Sequence, residues 1–176
     1  DIGIGARRLN EPLAAVVPHH NLVAVRRAAF FKQLALASQP ATVILLSPNH
    51  FNTGSGDIIT TQRDWVLASG TKTLSADSAI IDALVKQGVA RDEAAAFTIE
   101  HGIKNILPDI ATSFPAARLV PIIFRESVKP EAITKLATTL EKLCQNKCGV
   151  IASVDMSHYQ PALVANSQEF RFRCGE

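Results

Sequence analysis

The sequence predicts a single α/β domain built on a mainly parallel sheet with helices on both faces. Three observations lead there. Short apolar runs at Leu13–Val17, Thr42–Leu46, Arg118–Phe124 and Gly149–Val154 read as strands buried on both sides. The stretches between them repeat apolar residues at helical spacing, so strand and helix alternate along the chain. Three of the runs also lead straight into histidine: Pro18-His19-His20, Ser47-Pro48-Asn49-His50 and Asp155-Met156-Ser157-His158-Tyr159. In open α/β sheets, ligands bind just beyond the carboxyl ends of the strands. The pattern that predicts the fold therefore also marks one rim of it.

In chain order, Leu22–Ala37 is apolar on nearly every face and reads as a helix packed deep against the sheet, with Phe30, Phe31 and Leu34 at its middle. Ile58–Thr60 and Trp65–Leu67 read as a hairpin or as short edge strands. Ser75 or Asp77 caps a helix running to Lys86, in which Ile80, Ile81, Leu84 and Val85 recur at helical spacing. Asp92–Phe97 is expected as a turn or short helix. Ile99, Ile103, Ile106 and Ile110 advance by four, three and four, as one buried helical stripe does. Pro130 suits the first turn of a helix whose apolar face holds Ile133, Leu136, Ala137, Leu140 and Leu143.

Composition narrows the function classes. With 176 residues the chain can bury one substantial core, and 47% hydrophobic with 19% charged residues is an ordinary globular balance. A net charge of +2, with Lys and Arg scattered, argues against a nucleic-acid surface. Each apolar stretch is interrupted before it reaches membrane-spanning length, and Asp1–Asn10 does not resemble a secretory signal. The expectation is a soluble, cytoplasmic protein. Cys144, Cys148 and Cys174 are too few for a disulfide framework, and the first two read as part of a loop after a helix.

Neutral imidazole is a good ligand for zinc, copper and iron. His19 and His50 each follow a strand and a proline that restrains the backbone leaving the sheet, so both are candidate metal ligands. His20, as the neighbour of His19 in extended chain, points the other way and falls to a substrate-contacting or supporting role. Asp155 and His158 stand three apart. On a turn-like path the carboxylate can orient the imidazole as an acid/base pair, or it can cap a helix. Glu100-His101 lies off the apolar stripe and matters to chemistry only if that helix end faces the cleft.

Taken in order, Val17-Pro18-His19, Ser47-Pro48-Asn49-His50, Glu100-His101-Gly102-Ile103, Val120-Pro121-Ile122-Ile123 and Ser153-Val154-Asp155-Met156-Ser157-His158-Tyr159 resemble the Memo-like family, also called AmmeMemoRadiSam system protein B. The resemblance spans Ala14 to Tyr159. It implies a fold similar to the class III extradiol dioxygenases, which open catechol rings with non-haem iron and O2. It further implies that His19 and His50 bind metal, that His158 with Asp155 moves protons, and that a late Cys-Gly supplies the third ligand. Cys174-Gly175 matches that pair by type. Asn49, Glu100 and His101 then contact substrate or hold a ligand in place. The chain departs from the family at His20-Asn21-Leu22, where Ala-Gly-Tyr is usual, and at Lys104, where a second Glu is usual. Cys174 also follows His158 too closely, and the chain ends before the family's last strands. A missing C-terminal part, an absent intervening segment and a non-equivalent Cys174 all remain open.

The implied function is a metal-binding protein with a His-lined cleft and iron- or copper-dependent redox or oxygen chemistry. Zinc is a further option, and the cleft ligand is a small molecule or a peptide. The alternatives are a true extradiol-type dioxygenase acting on a catechol-like substrate, a zinc hydrolase, and a binding or scaffold protein that keeps the cleft without turnover. Oligomeric state is not legible.

Overall fold

The computed structural model describes residues 13–67, 70, 72–156 and 164. The apolar runs become β1 (Leu13–Val17), β2 (Thr42–Pro48), β7 (Arg118–Phe124) and β8 (Cys148–Ser153). They join β3 (Ile58–Thr60) and β6 (Arg91–Asp92) in a six-stranded sheet of order β1-β8-β2-β7-β3-β6. Pairing is parallel throughout except for the antiparallel contact of β3 with β7. The expected α/β domain with a mainly parallel sheet is what forms.

Residue alternation along the strands separates two cores. On one face Val43, Leu45, Leu119, Ile123 and Ile151 pack with residues of α1 (Ala24–Ala37), α3 (His101–Lys104) and α4 (Leu107–Ser113). On the other, Ile44, Val120 and Ile122 meet α2 (Ser78–Lys86) and α5 (Pro130–Cys144). Helices thus cover both faces. Asp77 caps α2 by accepting from the Ile80 N–H, and Pro130 opens α5, both as the sequence predicts.

Four expectations change in detail. Ile58–Thr60 and Trp65–Val66 (β4) do not pair with each other: the first enters the main sheet, and β4 forms a separate ribbon with β5 (Thr73–Leu74). The isoleucine stripe begins at Ile103, because Glu100 caps α3 and leaves Ile99 outside the helix, 52% exposed. Pro108, which has no N–H to continue the ladder, then starts α4 as a separate helix. Helix α1 is not buried all round: Phe31 and Arg27 face inward, whereas Val25, Phe30 and Leu36 are exposed.

Cys144 and Cys148 are joined in a disulfide that closes the turn between α5 and β8, a bond that the loop reading did not anticipate. The turn itself passes through left-handed backbone at Gln145 and Asn146. Purified, denatured protein is expected to take up two fewer alkylating groups before reduction than after it, which intact mass measurement reads directly. No helix among the described residues is long and apolar enough to cross a membrane.

Candidate metal centre

The strand order explains why histidines far apart in sequence meet. β1, β8 and β2 are neighbours and run parallel, so the segments after all three emerge on the same rim. His19 follows β1, Asp155 follows β8, and His50 follows β2. The amino end of α3 comes over the same rim and adds His101. Ring centroids lie 4.8 Å apart for His19 and His50, 4.1 Å for His50 and His101, and 5.2 Å for His19 and His101. One ligand nitrogen from each ring falls within 4.8 Å of the others. Nitrogens sharing one ion at about 2.1 Å lie at most about 4.2 Å apart, so a small inward rotation of the rings suffices.

The surroundings of His50 set its tautomer. Glu100 is completely buried; its Oε2 accepts from the His50 backbone N–H at 2.9 Å, and its Oε1 lies 2.6 Å from His50 Nδ1. Oε1 also accepts from the Gly102 N–H at 2.9 Å. An ionised carboxylate only accepts, so Nδ1 carries the proton and Nε2 keeps its lone pair for a metal. Gly102 lets the two segments approach this closely. A Cβ there would clash with Ser47 Oγ and press within 3.1 Å of both Glu100 Oε1 and His50 Cε1.

His19 is 1% exposed. Ser153 Oγ donates its single proton to the Gly102 carbonyl and lies 3.2 Å from His19 Nδ1. The imidazole must therefore be the donor at Nδ1, again leaving Nε2 unprotonated. That Nε2 sits 3.3 Å from Asp155 Oδ2, yet it is buried and has no hydrogen-bond partner among the described residues. The distance alone would suit an ion pair, but burial pushes the His19 pKa down and outweighs the opposing pull of Asp155; His50 and His101 push the same way as burial. We take the ring as neutral at pH 7, so a lone pair faces a carboxylate oxygen. A cation placed there would give the Nε2 lone pair a partner, and the three imidazoles together could hold a metal ion.

The low pKa of His19 gives the metal-free protein a pH dependence. Below about pH 6.5 the unfolded chain binds a proton at His19 that the folded state refuses, so stability is complete above that value and falls as pH drops through the folded pKa. Denaturant melts of metal-free protein between about pH 8 and about pH 5 should show this decline, and His19→Gln should flatten it.

Asp155, just beyond β8, braces the loop after β1: its Oδ1 accepts from the backbone N–H groups of His19, at 2.9 Å, and His20, at 3.3 Å. His20 itself is exposed, and its Nδ1 accepts from the Leu22 N–H to cap the short 3-10 turn Asn21–Val23. Asn49 is buried, but its amide braces its own loop through Thr53. Glu100 holds the His50 ring in place, and His101 joins His19 and His50 in the cluster that could hold a metal ion. His158 and Cys174 lie outside the described residues. Sequence reasoning did not pick out Ser153 or Gly102; the one signal for Ser153 was a hydroxyl on the inward side of β8, two residues after the buried Ile151.

The chain is similar in sequence to known proteins. A MEMO1 family protein of Caldivirga maquilingensis is 27% identical over 165 residues, covering 90% of this chain and 57% of the relative. One from Methanopyrus kandleri is 32% identical over 136 residues, covering 74% of this chain and 47% of the relative. The chain thus spans about half the length of the curated relatives it matches. Among solved structures, an uncharacterized protein of Escherichia coli K12 aligns with a TM-score of 0.49 at 16% identity, covering 74% of this chain and 53% of the other. The Memo-like protein family model matches residues 3–171, nearly the whole sequence, and the chain belongs to that family.

Proposed function

We propose that this Memo-like chain binds one transition-metal ion through His19, His50 and His101 and presents it to a small molecule in the cleft. The observation that carries this reading is the buried His19 Nε2, which has no hydrogen-bond partner among the described residues, in a ring whose ligand nitrogen lies within 4.8 Å of those of His50 and His101. Three imidazoles with two flanking carboxylates, Glu100 and Asp155, suit a divalent cation in ligand type. Iron or copper is the metal we favour, on the family resemblance, with zinc as the alternative. Such an ion would supply open positions for redox or oxygen chemistry. The chain's own residues have narrower tasks: Glu100 fixes the His50 tautomer, Ser153 fixes that of His19, and Asp155 holds the loop after β1. Proton movement is assigned to His158 by resemblance. Phe51 is 48% exposed, and its ring lies 5.8 Å from His101, which provides an aromatic contact for a cleft ligand.

A second reading, an extradiol-type dioxygenase, draws on the Asp155 carboxylate beside His19, since two imidazoles and a carboxylate are the common ligand set of that chemistry. Titrating metal-stripped protein with Fe(II), Cu(II) and Zn(II) should give one ion per chain; no saturable binding of any of them would end the proposal. Supplying the Fe(II) form aerobically with catechols then separates the readings. O2 uptake with ring-opened product selects the dioxygenase.

A further inference from the structure

We propose that Arg27 is a positioning residue of this metal centre: it ties the backbone carrying His19 to the helix end carrying His101, and so sets the spacing of two ligands. The inference rests on the three-histidine reading above.

Arg27 lies on the inward face of α1, 5% exposed, amid otherwise apolar packing. A buried guanidinium is costly unless both its charge and its donors are satisfied. Its Nε donates to Asp109 Oδ2 on α4 at 2.6 Å, which answers the charge. Among the described residues its remaining bonds go to backbone carbonyls outside the strands. Nη1 donates to Pro18 O at 3.2 Å and His20 O at 3.3 Å, and Nη2 to Asn105 O at 3.0 Å. The carbonyl between the first two, that of His19, accepts from the Asn105 side-chain amide at 3.2 Å. The Asn105 backbone N–H closes the circuit by donating to His101 O at 3.0 Å.

Three consecutive carbonyls around His19 are thus held by one guanidinium and by the residue that this guanidinium also holds. The same residue ends the helix on which His101 stands. Only a planar fork with several divergent N–H groups can bridge both segments at once. A lysine would keep the charge opposite Asp109 and lose the bridge. His50 is held separately, by Glu100, so the clamp acts on the relation of His19 to His101.

Arg27→Lys and Asn105→Ala test this, each compared with wild type by circular dichroism, by thermal melting without metal, and by titration with Co(II) read through its visible spectrum. Both folded variants are expected to bind Co(II) about tenfold or more weakly and to shift the d–d bands, since outer partners of ligands commonly contribute that much to affinity. A purely structural role would lower the melting temperature and leave the spectrum of the bound ion unchanged. Wild-type affinity and spectrum in both variants would overturn the inference while the metal centre stands. If Arg27→Lys does not fold, Asn105→Ala decides alone. A wild type that binds no Co(II) overturns the metal reading, and the clamp with it.

Discussion

His50→Ala is expected to abolish stoichiometric metal binding while leaving the protein folded. Full coordination sites bind structural ions with roughly 10–16 kcal/mol, so loss of one imidazole among a few ligands removes on the order of 3 kcal/mol or more. The His50 side chain is 23% exposed, and its replacement leaves little cavity. His19→Ala should lose the ion equally, but His19 is 1% exposed and alanine there also opens a buried void, so that variant should melt lower. Elemental analysis after gel filtration reads the first effect, and thermal unfolding without metal reads the second. One ion still retained per chain in the His19/His50 double variant would remove both residues from the ligand set.

Glu100→Ala should have the largest effect on the fold itself. The carboxylate is fully buried and accepts from His50 N, His50 Nδ1 and Gly102 N, at 2.9, 2.6 and 2.9 Å. Alanine strands those donors, and each unsatisfied buried group costs about 1–3 kcal/mol. The melting temperature should fall by about 10 °C or more, taking roughly 2–4 °C per kcal/mol at this chain length. Glu100→Gln keeps the shape but turns an NH2 toward a donor, so an intermediate loss is expected. Metal affinity should fall with both substitutions, because the His50 ring is released from its tautomer. A metal-free Glu100→Ala protein that melts within about 2 °C of wild type would contradict the assignment of that carboxylate.

The parts of this molecule readable in sequence are those governed by short-range pattern. The four long strands follow from continuous apolar runs, and α2 and α5 from their caps and periodicity. His19 and His50 were legible because a proline and a strand end precede each. His20 was set aside on alternation alone, and it is exposed in the structure. What escaped depends on which segments become neighbours. Nothing local says that α3 arrives over the rim, so Glu100-His101 could not be grouped with His19 and His50 from sequence alone. Arg27 could not be read from its helix either, because its partners lie at residues 18, 20, 105 and 109. A charged residue four before the buried Phe31 was the available hint. The break of α3 from α4 was in principle readable from Pro108, but the isoleucine spacing pointed through it.

The place of β8 in the sheet has a consequence for biosynthesis. This strand is the last one made among the described residues, yet it is inserted between β1 and β2. Adjacent strands are about 4.8 Å apart, so the strands leading to His19 and His50 are held roughly two such steps from each other only after β8 has docked. A nascent chain that has not released residues through Ser153 from the ribosome cannot offer these rings at their final separation. An ion shared by these rings would therefore be taken up only once β8 has been made, and not while β1 and β2 are the only strands of the three to have emerged.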